Sequence, residues 1–317
     1  MATYREIKGF TVQNLSTDPT TPAGKPGGLD GQIWFNSTTK KLRGVVGLGA
    51  WSSGTSLPAP GSRYSMPGFG TRTAGALVGG YGPPAGATRT AETTLYDGTS
   101  WTLGGNMADQ ASENGASGTQ TAAFTAGGYD GSYVNTSGTF DGSTWTAQGT
   151  LVDGSRGFPS NQAGGTASAG VVCGKQDAGD SSHEQFDGSS WTAATDMPGS
   201  RGAGGGAGTS TAFLVASGGY PSGSATTATL EWDGSSWTAG GTMNTARNSS
   251  SGGPGGSSYN NAWIAGGQDT SPAVAGNMES YDGTSWTALD AMANARTNYG
   301  SLLQVDLQLQ QLEKDIL

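Results

Sequence analysis

The residues of this chain with the types and spacings for chemistry are one histidine, a periodic set of arginines and five Asp-Gly turns. His183 stands alone, and a histidine-built copper site needs at least two. A Ser-His-Asp triad would find serines in abundance, but no Gly-x-Ser-x-Gly elbow accompanies His183. It is expected to be a polar loop residue. Arg156, Arg201, Arg247 and Arg296 recur at intervals of 45, 46 and 49 residues, and Arg63 lies two periods before Arg156. The intermediate position falls on Gln110. Such a series either links structural repeats or converges on the carboxylate of a bound sugar. A glycosidase would add two acids, for which Asp153 and Glu113 are candidates that no motif marks. The Gly-Gly phrases lack the Gly-Lys-Ser/Thr of a phosphate loop. Each Asp-Gly turn offers one carboxylate, where calcium prefers clustered oxygens. No catalytic residue, metal or cofactor is expected.

The turns belong to a phrase that occurs five times: an aromatic residue, Asp-Gly, two hydroxyl residues and Trp. The pairs are Asp97 with Trp101, Asp141 with Trp145, Asp187 with Trp191, Asp233 with Trp237, and Asp282 with Trp286. The tryptophans lie 44, 46, 46 and 49 residues apart. A period near 46 with an aromatic pair in each unit is the length of a four-stranded propeller blade. Near-invariant recurrence within one chain points to structural roles for these residues.

Each repeat divides into strands a to d. In the last one, strand a is expected around Ser249–Ser258, b over Tyr259–Gly267, c over Met278–Asp282, and d from Trp286. Asp-Gly between c and d is a hairpin signal, because both residues tolerate positive φ. A double glycine ends strand b at Gly79-Gly80, Gly127-Gly128, Gly218-Gly219 and Gly266-Gly267, with Cys173-Gly174 in the third repeat. Met107, Leu151, Met197, Met243 and Met292 end strand d. Strands converge toward a propeller axis, so inner residues must be small. The large rings of Tyr96, Phe140, Phe186, Trp232 and Tyr281 are expected between blades with their tryptophans, each contributing ~2–3 kcal/mol by burial.

Five repeats cover roughly residues 64–292. The remainder is read as a divided sixth blade: strand b over 31–36, c over 41–46, d from Trp51, and a over 297–303 from the other end. Joining terminal strands would close the ring and remove open edges. The expected fold is therefore all-β, a six-bladed propeller over 31–303. Five blades with a separate N-terminal hairpin is the alternative. Residues 1–30, rich in Pro and Gly, are expected to be an extended anchoring arm. Residues 304–317 carry Leu307, Leu309, Leu312, Ile316 and Leu317, a spacing that suits a short amphipathic helix.

Composition narrows the partners. Glycine supplies 57 of 317 residues, more than twice the usual ~7%; periodic aromatics turn that from a sign of disorder into one of tight turns. A net charge of −9 without a basic run argues against nucleic acid. Cys173 is the single cysteine, which excludes an intrachain disulfide. No apolar run suggests a signal peptide or a membrane span, so synthesis and folding in a cytoplasm are expected.

The order apolar strand, double glycine, Tyr-Asp, Trp, Met and Arg resembles the kelch repeat of β-propellers over about 230 residues. The Asp-Gly-x-x-Trp spacing is shorter than in many kelch repeats and shorter by one than the Asp-box turn of sialidases. The segment Gly31-Gln-Ile-Trp-Phe-Asn-Ser-Thr-Thr-Lys-Lys-Leu-Arg43 is similar to a module of bacteriophage tail-fibre and virion proteins, especially of marine and cyanobacterial phages. That resemblance implies a multi-copy virion protein acting by binding. Its partners would be other virion subunits and, for an adhesin, host surface glycans. A decoration or connector protein that binds virion subunits alone is the alternative.

The binding face expected for an adhesin is the one carrying the b–c loops, which are the longest and least alike. Three open with a tyrosine after the double glycine, at Tyr81, Tyr129 and Tyr220. A tyrosine offers a flat apolar face to a sugar ring and a hydroxyl to its polar edge.

Overall fold

The computed structural model describes residues 13–15, 33–38 and 41–44, and, between 55 and 295, all but 59–64, 83–87, 155, 159–161, 176–179, 219–224, 249–258, 269–275, 290 and 292–294. The chain divides into two units, one of which is Ser53–Asp306.

That unit is a β-propeller. Four of its blades are four-stranded antiparallel sheets in the order a-b-c-d. The first blade comprises Gly68–Thr71, Ala74–Val78, Thr93–Tyr96 and Trp101–Leu103; the second, Gly115–Thr119, Ala122–Ala126, Ser137–Phe140 and Trp145–Gln148. The third comprises Ala163–Thr166, Ala169–Cys173, His183–Phe186 and Trp191–Ala193; the fourth, Gly205–Thr209, Ala212–Ala216, Thr229–Trp232 and Trp237–Ala239. The fifth has Ala262–Ala265, Met278–Tyr281 and Trp286–Leu289 as strands b, c and d. Its strand b is shorter than expected, because Tyr259–Asn261 forms a 3-10 turn before it. Its expected strand a, over 249–258, lies outside the described residues.

The inner strands are small for a packing reason. A Cβ on Gly164 or Gly206 would meet the Phe213 ring at 2.4 or 2.5 Å, so only glycine lets that ring in. The a–b turn repeats a second requirement. Gly165 has φ +89, and a Cβ there would stand 2.1 Å from the Ala169 carbonyl oxygen. Apolar residues on alternate positions of strands b and c then face opposite neighbours. Phe124 packs against Phe186 and Trp191 of the third blade, at ring-centroid distances of 6.2 and 5.6 Å. Phe69 of the first blade meets Phe140 and Trp145 of the second at 6.3 and 6.2 Å. The core therefore lies between blades, and Phe140, Phe186, Trp232 and Tyr281 belong to it, whereas Tyr96 and Trp101 are only half-buried.

Five blades, not six, stand among the described residues. The expected strands b and c of a sixth blade do form a hairpin, Ile33–Asn36 with Lys41–Gly44. Its third strand is Gln13–Leu15, which pairs parallel to Ile33–Asn36 and comes from the stretch read as an extended arm. A propeller blade is an antiparallel meander, so this sheet is not built as one. It belongs to the other unit. The expected strand d at Trp51, strand a over 297–303 and the helix over 304–317 lie outside the described residues.

Candidate functional site

The five Asp-Gly turns are nearly superimposable in their bonding. In the first, Asp97 Oδ1 accepts from the N–H groups of Thr99 and Ser100 at 2.8 and 2.7 Å and from the Thr99 hydroxyl. Its Oδ2 accepts from the Ser100 hydroxyl at 3.0 Å. Asp141, Asp187 and Asp233 repeat all four bonds; Asp282 repeats three. Backbone N–H donors hold the first three carboxyls well below the usual carboxylate range; for Asp233 the Ser235 hydroxyl leads. The carboxylate oxygens are spent inside the turn. Gly98, Gly142, Gly188, Gly234 and Gly283 supply its positive φ, between 92 and 101.

Each turn delivers a tryptophan onto the ring before it, with centroids 4.7 Å apart for Tyr96–Trp101, 4.9 Å for Phe140–Trp145 and Phe186–Trp191, 5.4 Å for Trp232–Trp237 and 5.0 Å for Tyr281–Trp286. From the second blade on, the indole N–H then reaches the preceding blade; that of Trp101 donates to the Thr55 carbonyl at 3.1 Å. Trp145, Trp191 and Trp286 donate to the hydroxyls of Thr93, Ser137 and Thr229, at 2.8, 3.0 and 2.9 Å. Those hydroxyls open strand c of their blades.

His183 opens strand c of the third blade, in the place of Thr93, Ser137 and Thr229. It is a buried strand residue, not the loop residue expected. Its ring meets Trp232 and Trp237 edge-on, at 4.5 and 5.4 Å. With no hydroxyl there, Trp237 donates instead to the Thr195 carbonyl at 3.0 Å, whose oxygen also lies 3.2 Å from His183 Nδ1. Burial pulls the imidazole pKa down to about 4, so the ring is neutral near pH 7. It belongs to the aromatic packing and faces no serine–aspartate pair in these contacts.

The described members of the arginine series, Arg156, Arg201 and Arg247, lie at junctions between blades; Arg63 and Arg296 lie outside the described residues. Arg156, from the loop leaving the second blade, pairs with Glu184 in strand c of the third, and both side chains are wholly buried. Arg247, leaving the fourth blade, pairs with Glu279 of the fifth at 2.6 Å. Each glutamate also accepts two N–H groups from the loop that carries its arginine: Val152 and Asp153 for Glu184, Asn244 and Thr245 for Glu279. At the junction of third and fourth blades Leu230 stands in the glutamate position. Pro198, corresponding to Val152 and Asn244, removes one of the N–H groups that would need the acceptor. Arg201 is half-buried there, has its Nε unpartnered among the described residues, and is drawn below its usual pKa by that burial.

At the junction of first and second blades the arginine position is Ala111, one residue beyond the Gln110 that the spacing indicates. The backbone identifies it. The carbonyl of Ala111 accepts from Gly80 as that of Arg156 accepts from Gly128, and its N–H donates to Thr90 as that of Arg156 donates to Val134. The glutamate position is Gly138. The third repeat's glycine pair is also re-read by geometry: Gly174 has φ +64, as Gly79 and Gly127 have +64 and +60, so Lys175 replaces the second glycine, not Cys173 the first.

The b–c loops meet the d–a loops, through bridges between Ser112 and Tyr129 and between Asn248 and Gln268. On this face the structure brings two of the three candidate tyrosines together. The Arg89 guanidinium lies over the Tyr81 ring at 5.2 Å and over the Tyr129 ring at 4.3 Å. Tyr81 and Arg89 face each other in a short ladder that extends strands b and c of the first blade. Tyr133 packs edge-on against Tyr129 at 5.0 Å and points its hydroxyl to Glu113 Oε2 at 3.5 Å. Tyr220 lies outside the described residues. Neither Arg89 nor Tyr133 repeats, so periodicity does not mark them; their position in a b–c loop is the one signal for them. Asp153 and Glu113, the acids considered for glycoside hydrolysis, have different partners: Asp153 pairs with Arg156 at 3.2 Å, while Glu113 meets Tyr133 on the loop face at 3.5 Å.

Among the described residues no group of three or more His, Cys, Asp or Glu is placed to hold a metal ion, and no helix is long and apolar enough to cross a membrane. Cys173 is buried, which pushes its thiol pKa well up. The fold defines the chain as a β-propeller. Comparison with protein-family models and with curated proteins gave no match to this chain.

Proposed function

We propose that this protein is a kelch-like propeller of a bacteriophage virion, a tail-fibre or tail-associated adhesin that binds host surface glycans through its b–c loop face. The observation that carries the binding face is the Tyr81–Arg89–Tyr129 stack, with Tyr133 against it. Half-buried rings beside a guanidinium combine apolar faces for sugar rings with donors for their hydroxyls. Such a group on loops above a rigid frame is a usual form of recognition site. The virion assignment rests on the Gly31–Arg43 phrase and on kelch-like repeats.

The action proposed is binding, not catalysis. A sialidase-like site would need exposed arginines converging on a carboxylate. Arg156 and Arg247 are instead consumed in buried ion pairs. The connector reading has one observation in its favour: Arg89 already covers one face of two rings, which leaves less aromatic surface open. Replacing Tyr81, Tyr129 and Tyr220 together with Ala distinguishes the two readings. The adhesin reading expects loss of binding to host cells with an unchanged melting temperature. Wild-type adsorption by the folded triple variant refutes the adhesin face and favours the connector.

A further inference from the structure

Between the first and second blades a cleft of about 240 Å³ opens where two other junctions hold an ion pair. It is lined by the counterparts of that pair and of its partners. Ala111 stands for Arg247, and Gly138 for Glu279. Gly127 and Thr136 stand for Gly266 and Asn277, whose carbonyls accept from the Arg247 guanidinium at 3.2 and 3.0 Å. The cleft is thus the arginine seat of this architecture, with both charged side chains pruned away.

Two further groups point to what would occupy it. Asp109 lines the cleft and corresponds to Asp153, which pairs with the Arg156 guanidinium at 3.2 Å. Asn114 forms part of the wall, is 1% exposed, and has neither carboxamide atom bonded to a described residue. A buried amide in that state lacks a partner that a bound molecule can supply. The rim residues Asp109 and Asp130 are exposed acids on a chain of net charge −9, which favours a cation over an anion. We propose that this cleft receives a guanidinium group from outside, the side chain of an arginine on a partner chain, with Asp109 and the Gly127 and Thr136 carbonyls as acceptors. Planar guanidinium donors fit several acceptors at once, as they do at the filled junctions.

The test uses the intact protein and Nα-acetyl-arginine amide, with the lysine and citrulline analogues as controls. Binding is read from NMR shifts of the Gly127 and Gly138 amides and the Asn114 side-chain amide. The arginine probe is expected to give saturable shifts, and the uncharged citrulline probe shifts at least ten-fold weaker. Ala111→Arg supplies its own guanidinium and should abolish binding. Gly138→Glu restores the missing carboxylate and should tighten binding about ten-fold, since charge-assisted bonds are roughly twice as strong as neutral ones. A Cβ on Gly138 would stand 3.3 Å from the Thr146 carbonyl oxygen, so strand d must give by a few tenths of an ångström to accept it. Should Ala111→Arg fail to fold, Ala111→Leu blocks the same space. Absence of shifts, equal binding of citrulline, or binding that survives a folded Ala111 variant each overturns the proposal. The readout involves neither host cells nor glycans, so it is independent of the adhesin reading.

Discussion

Arg156 and Glu184 belong to consecutive blades and meet where neither side chain touches solvent. Glu184 also closes the loop that carries Arg156, through the N–H groups of Val152 and Asp153. One carboxylate therefore fixes both a neighbour's charge and its backbone. Glu184→Gln should destabilise the protein by up to ~3–5 kcal/mol, because it leaves the buried Arg156 guanidinium with only the part-exposed Asp153 carboxylate as counter-charge. Arg156→Leu combined with Glu184→Leu should cost less than the two single changes together, since the Leu230 junction lacks such a pair. Denaturant melts of the four proteins measure the coupling, and additive losses would contradict it.

Trp191 tests the aromatic seam. It is 4% exposed, stacks on Phe186 and bonds Ser137 of the preceding blade. Trp191→Ala should cost ~3–5 kcal/mol. Trp191→Phe keeps the stack and loses the indole N–H bond, at ~0.5–1.5 kcal/mol. An unchanged melting temperature in the alanine variant would refute the packing account.

His183 gives the protein an acid-sensitive step. Its pKa falls from 6.5 to about 4 on folding, chiefly by burial. The unfolded chain therefore takes up the proton first as pH drops. The stability that depends on the neutral ring is whole above about 6.5 and is lost progressively toward 4. His183→Thr, which restores the residue type found in the first and fourth blades, should flatten the pH dependence of the melting temperature across that window. A curve as steep as the wild type's would place the titrating group elsewhere.

The repeat was legible because it is written in residue types that only one geometry uses: Asp-Gly turns, paired rings, small inner strands. The blade number was less so. Residues 31–46 have the alternation of two blade strands, and they do form a hairpin. Nothing in that alternation indicates that Gln13–Leu15 would pair with it in parallel, because a three-residue strand in a Pro- and Gly-rich stretch carries no periodic signal. The arginine series showed its period but not its partners. Glu184 and Glu279 occupy a strand position that is Thr94, Gly138 and Leu230 elsewhere, so only the register makes them comparable. Counting from arginine to arginine indicates Gln110, whereas Ala111 stands ten residues after Trp101, as Arg201 and Arg247 stand after Trp191 and Trp237. On the loop face the Tyr81–Tyr129 proximity follows from the fold. Arg89 between them depends on a ladder peculiar to one loop.

The central claim is that the b–c face of a virion-borne propeller is free to meet a host. Cys173, the single cysteine, is buried, so Thr88→Cys, exposed on that face, creates a thiol for gold labelling of purified particles. The account predicts accessible label at the tail, on the particle's outer surface, visible by electron microscopy before any host is added. Particles that contain the chain but leave the introduced thiol unlabelled until they are disassembled would contradict it, as would particles without the chain.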